Sequence, residues 1–119
     1  MKYTHTNTDL PIEDIYPKLV RDKIPELVEI EGKKATVRVL NNDNEYLSYL
    51  YSKLIEEATE LKYAKSESNQ EEELADVYEL LDEILKLKKI TKNDITIIQE
   101  QKRQARGGFK NRLLMLSKP

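Results

Sequence analysis

From residue 43 to residue 64, and again from 69 to 88, apolar side chains return every three or four positions, and a short polar linker, KSESNQ, separates the two runs. The first run carries Leu47, Leu50, Tyr51, Leu54, Ala58 and Leu61, the second Leu74, Val77, Tyr78, Leu81, Ile84 and Leu85. A spacing of three and four matches the 3.6-residue turn of an α-helix, so each run predicts an amphipathic helix about twenty residues long. Two such helices joined by so short a linker fold back on each other as an antiparallel hairpin with their stripes facing. Ser68 and Asn69 are the candidate caps of the second helix, with Glu71 to Glu73 where the helix dipole favours negative charge.

The rest of the chain punctuates this hairpin. Asn41-Asn42-Asp43-Asn44 is a breaker run that also caps the first long helix, and Pro25 opens a short helix that stops at Gly32. Ala35 to Leu40, ATVRVL, alternates β-branched and polar residues as a brief strand does. Thr91 with Asp94 forms a capping-box pattern that starts a further helix, ended by Gly107-Gly108. Residues 1–17 read as an extended lead-in to one helical domain over 18–119, and a chain of 119 residues has room for one modest core.

Composition excludes several kinds of chemistry. The chain has no Cys, so disulfides, thiolate zinc sites and a cysteine nucleophile are absent, and this suits a cytoplasmic protein. His5, the one imidazole, lies in the polar stretch THTNTD and reads as an exposed residue without a site. A formal charge of -2, with acids and bases interleaved, gives no pull toward nucleic acid, and no apolar run suffices to span a membrane.

The acids are distributed less evenly. Glu57-x-x-Glu60 lies on the shoulder of the first stripe, and Glu73-x-x-Asp76 lies on the same side of the second. Glu56 and Glu72 point nearly opposite the core, and Ala58 and Ala75 are small residues that let the helices approach. In an antiparallel hairpin both acidic pairs can occupy one edge, where crowded carboxylates are tolerable only around hard cations such as Mg²⁺. Against this, 15 of the residues are Glu, and acidic pairs three apart are common on solvated helix faces.

The arrangement Glu56-Glu57-x-x-Glu60, then Glu73-x-x-Asp76, resembles the signature of the all-α nucleoside triphosphate pyrophosphohydrolases, the MazG-like superfamily. KLVRDKIPELV at 18–28, ELADVYELLDEI at 73–84 and KRQARGGFKNRLLML at 102–115 resemble a small subfamily of house-cleaning pyrophosphatases. The resemblance covers roughly residues 18–116. It implies an all-α MazG-like bundle, a hairpin plus a third helix, that works as a homo-oligomer, dimer or tetramer. It also implies Mg²⁺, with Mn²⁺ as a substitute, held by Glu57, Glu60, Glu73 and Asp76, and cleavage of a nucleoside triphosphate to the monophosphate and pyrophosphate.

A triphosphate carries about four negative charges, so carboxylates can approach it only across divalent cations. Glu57 or Glu60 is the candidate acceptor of the attacking water's proton. Lys18, Arg21 and Lys23 form one candidate phosphate-binding cluster, and Lys102, Arg103 and Arg106, with Lys110 and Arg112 beyond, form another. Gly107-Gly108 serves equally as an anion contact or a helix stop, and Phe109 as a core anchor or a base platform. Tyr46, Tyr49 and Tyr51 read as packing or dimer contacts. The competing expectation is a metal-free helical interaction module whose acids only solubilise it.

Overall fold

The computed structural model describes residues 15–119, so His5 and most of the lead-in lie outside the described residues. Four helices follow in chain order: α1 (Ile24–Ile30), α2 (Asp43–Tyr63), α3 (Glu67–Lys88) and α4 (Lys92–Arg106). The described residues contain no strand, and the architecture is all-α. The segment 35–40, expected as a strand, has no regular secondary structure and pairs with no other described segment. A lone alternating segment has no second ladder to satisfy its backbone, and here Val37 and Val39 are exposed.

Each helix boundary has a local cause. Pro25 sits in the first turn of α1, and Gly32 beyond its end takes φ +85°, the left-handed conformation that a helix stop requires. Asn42 is extended and its side chain accepts the backbone N–H of Glu45, capping α2. The cap of α3 is Ser66, whose Oγ accepts the N–H of Asn69 at 3.1 Å. Ser68 and Asn69, the expected caps, already lie inside the helix, because the extended backbone that a cap needs occurs two residues earlier. Lys89 ends α3 in the left-handed conformation at φ 57°. Thr91 and Asp94 form the reciprocal capping box of α4, and Gly107 closes that helix.

Helices α2 and α3 pack along one another as the expected antiparallel hairpin. Tyr46 Oη donates to Glu83 Oε2 at 3.3 Å across the interface and fixes the register. The faces that meet are the predicted stripes in part: Leu47, Leu50, Leu54, Leu61, Val77, Ile84 and Leu85 are covered, and the rest of each stripe is exposed. On α2 the covered positions centre on Tyr46, Leu50, Lys53 and Glu57, and on α3 they centre on Glu73, Leu80, Ile84 and Leu87. Cover extends from each stripe onto its acidic shoulder, where the segment before α1 also lies, with Arg21 against Asp76. The acids are thereby drawn inward, while Tyr51, Leu74, Tyr78 and Leu81 stay open to solvent. Ala58 and Ala75, expected at the contact, are exposed as well.

The consequence is a very small core. Leu50 and Ile84 are the buried hydrophobic residues among those described, and they share the buried class with Glu56 and Glu57. Residues 96–119 are all exposed, so beyond its first turn α4 and the tail form an arm standing off the hairpin. Phe109, at 97% exposure, anchors no core in this chain. The radius of gyration is 17.6 Å, whereas a chain of this length folded on itself would have about 13 Å.

Candidate metal centre

The site lies where α2 and α3 approach near their connecting turn. A carboxylate oxygen from each of Glu57, Glu60 and Glu73 falls within 4.8 Å of the others. Glu57 and Glu60 are one turn apart on α2 and therefore share a face, while Glu73 faces them from α3. Glu57 is only 6% exposed, which takes it out of the class of solvated surface acids. Oε2 of Glu57 and Oε2 of Glu73 are buried without a hydrogen-bond partner. Two acceptors left this way in a shared space require a proton or a cation between them.

The electrostatics follow from that crowding. Burial, then the neighbouring Glu57 charge, pushes Glu60 up to about 7. Burial and the approach to Glu57 push Glu73 further, to about 9. Burial opposes the charge on Glu57 too, but a proton shared from Glu73 and the adjacent Lys53 ammonium hold it below the ordinary carboxylate range. In the metal-free chain at neutral pH, then, the cluster keeps Glu57 ionised at its centre, a proton on Glu73 and Glu60 part-protonated. A divalent cation would displace those protons and satisfy the same oxygens. All three groups are oxygen donors suited to Mg²⁺ or Mn²⁺.

Asp76 stands apart from the three-oxygen group. It faces the same edge one turn along α3 from Glu73, where its Oδ1 accepts from Arg21 Nη2 at 2.7 Å. Arg21 comes from the KLVRDK segment before α1, so this segment lies against the acidic edge, and Glu57 and Glu79 add to the field that Arg21 feels. Lys18 is half-buried, with its ammonium 4.9 Å from the Tyr16 ring centroid, and Lys23 is exposed at the start of α1.

The second basic cluster is not brought to the acids of its own chain. Lys102, Arg103 and Arg106 lie on the exposed part of α4, and Arg103 pairs with Glu100 of the same helix at 2.6 Å. No ion pair among the described residues joins this cluster to the hairpin acids. Tyr46 and Tyr49 are half-buried on the hairpin and Tyr51 is exposed.

Two residues were misjudged or missed from sequence. Glu56, expected to point away from the core, is 6% exposed, and Lys53 explains how its charge is tolerated. Lys53 Nζ lies 2.7 Å from Glu56 Oε2 and 3.4 Å from Glu57 Oε1, bridging both acids from one turn earlier. The signal for Lys53 was present in the sequence: a lysine three and four residues before two glutamates lies over both.

No family model and no solved structure matches the chain. An uncharacterized protein of Mycolicibacterium smegmatis is 47% identical over 47 residues, which is 40% of this chain and 47% of that protein. The chain thus spans about half the length of the curated relative it matches.

Proposed function

We propose that the chain is a Mg²⁺-dependent nucleoside triphosphate pyrophosphohydrolase of the MazG-like kind, cleaving between the α- and β-phosphates. The observation that carries this reading is the convergence of Glu57, Glu60 and Glu73, with two buried and unpartnered carboxylate oxygens, at the meeting of two helices. Buried acids facing one another destabilise a fold unless something positive sits between them. The likeness of the acidic signature and of the KLVRDKIP and RGGF blocks to that superfamily supports the same conclusion.

Glu57, Glu60, Glu73 and Asp76 are the residues to hold the cation, with Asp76 joining once Arg21 lets go of it. Bound Mg²⁺ supplies polarisation of the α-phosphate and charge compensation for the departing pyrophosphate. The chain's own groups do the rest. A water attacks the α-phosphorus, the bond to the bridging oxygen breaks toward pyrophosphate, and the water's proton passes to a carboxylate. Glu60 suits that task better than Glu57, being half-buried and open to water where Glu57 is buried. Arg21, with Lys18 and Lys23 on the same segment, is positioned to meet phosphate oxygens at the acidic edge.

The test is pyrophosphate release from a panel of canonical and altered nucleoside triphosphates, with Mg²⁺ and with EDTA. Glu57→Gln, Glu60→Gln and Glu73→Gln should each lower kcat by at least about a hundredfold, the scale expected for removing one charged group from a phosphoryl-transfer site. Undiminished release in all three variants would refute the assignment. A second reading, a metal-free interaction module, draws on the exposed apolar side chains of the hairpin, and it predicts no release with any nucleotide.

A further inference from the structure

Glu56 is buried as deeply as Glu57, at 6% exposure, yet it contributes no oxygen to the group that Glu57, Glu60 and Glu73 form. A charge taken out of water is tolerated only when it is paired, and the pair that Glu56 makes is with Lys53. The lysine side chain is itself 19% exposed, with Nζ 2.7 Å from Glu56 Oε2, so its ammonium is fixed in place on α2. From that anchorage it reaches Glu57 Oε1 at 3.4 Å.

The two oxygens of Glu57 are thereby sorted. Oε1 faces the ammonium, while Oε2 is buried with no hydrogen-bond partner, as is Oε2 of Glu73 on the facing helix. One free oxygen in place of two matters, because hard divalent cations use carboxylates differently. Ca²⁺ takes about six to eight oxygens at flexible angles and readily takes both oxygens of one carboxylate. Mg²⁺ is smaller and demands a near-octahedral arrangement, into which the narrow bite of a chelating carboxylate fits poorly.

We propose that Lys53, anchored by Glu56, makes the centre selective for Mg²⁺ or Mn²⁺ over Ca²⁺ by confining Glu57 to a single coordinating oxygen. Lys53 acts through Glu57 and touches neither cation nor nucleotide. This role rests on the metal centre of the pyrophosphohydrolase reading, and it holds whichever nucleotide is cleaved.

The charge of Lys53 and its position have separable effects. Its repulsion acts alike on any doubly charged ion, so removing the charge moves the affinities for Ca²⁺ and Mn²⁺ in the same direction and leaves their ratio unchanged. Freeing Oε1, in contrast, favours the ion that accepts both oxygens. The ratio of the two affinities therefore reads position alone.

Lys53→Met by itself leaves Glu56 buried and unpaired, so it is made together with Glu56→Gln, which replaces the ion pair by neutral side chains of similar size. Thermal melts establish that the pair folds, and Lys53→Met with Glu56→Leu takes its place if the amide does not. Free Mn²⁺ is measured by electron paramagnetic resonance in solutions of the whole chain at fixed pH without nucleotide, and Ca²⁺ affinity by its displacement of Mn²⁺. The unmodified chain should bind Mn²⁺ more tightly than Ca²⁺. In the double variant the ratio should move toward Ca²⁺ by about tenfold, the lower end of the range for removing a group that orients a metal ligand. Lys53→Arg, which keeps Oε1 engaged, should hold the ratio within about twofold of the original.

A folded double variant with an unchanged ratio overturns the role of Lys53 and leaves the metal centre standing. So does an unmodified chain that holds Ca²⁺ as tightly as Mn²⁺, or a shift in Lys53→Arg as large as in the double variant. An unmodified chain that binds neither ion overturns the metal centre itself, and the role of Lys53 with it.

Discussion

At the scale of single residues, the metal-free site is a cluster of acids that balances itself with protons. Glu60 and Glu73 have carboxyls raised from 4.5 to about 7 and about 9. A carboxyl raised on folding stabilises the fold fully below its unfolded pKa, and that contribution is lost as pH climbs through the folded value. The metal-free protein should thus lose stability between about pH 5 and pH 9. The loss should be about 2 kcal/mol once screening of these half-exposed groups is allowed for, or several degrees of melting temperature. Thermal melts in EDTA across that range check it, and Glu73→Gln should flatten the slope. The same protons must leave when a cation binds, so Mn²⁺ titration near pH 7 should release about one proton or more, read from the buffer dependence of the calorimetric heat.

Arg21 presents a second expectation at this scale. Its bond to Asp76 is an exposed pair worth about 0.2–1 kcal/mol, and it competes with any cation that recruits Asp76. Arg21→Gln should therefore tighten Mn²⁺ binding roughly 1.4- to 5-fold without nucleotide, by the Boltzmann factor of that energy, while raising KM for the triphosphate. Unchanged Mn²⁺ affinity would show that the bond does not restrain the site.

Among the elements, the sequence pattern conveyed the helices more faithfully than their contacts. The existence of α1 to α4, the hairpin, the capping box at Thr91 and the stops at Gly32 and Gly107 all follow from local chemistry, which is read within a few residues. What periodicity could not supply was how far the contact spreads beyond each stripe, because a stripe shows which face is apolar and not what it meets. The pattern put Glu57 and Glu73 on a shoulder; the fold draws them to the interface and leaves Tyr78 outside. Lys53 escaped notice for a related reason, since a charge beside two charges reads as a solvated face until that face is covered. The expected strand at 35–40 failed because pairing is non-local and a lone segment carries no record of its partner. The cap of α3 gives a clean local test. Ser66→Ala should cost about 1 kcal/mol in urea unfolding, and Ser68→Ala should cost almost nothing.

For the whole molecule, the tiny core and the converging acids make stability depend on what is bound. A cation that binds only the folded form raises the melting temperature in proportion to the logarithm of its concentration. Millimolar Mg²⁺ or Mn²⁺ should raise it by several degrees, EDTA should reverse the gain, and Glu57→Gln should remove it. A bundle with scattered surface acids would hardly respond.

The uneven distribution of charge along the chain has a further result. Although the formal total is only -2, the hairpin and the arm carry opposite signs, so each molecule has a large dipole moment. A charged molecule approaching the chain is turned by that dipole before contact, and added salt weakens the guidance over a Debye length of about 8 Å at physiological strength.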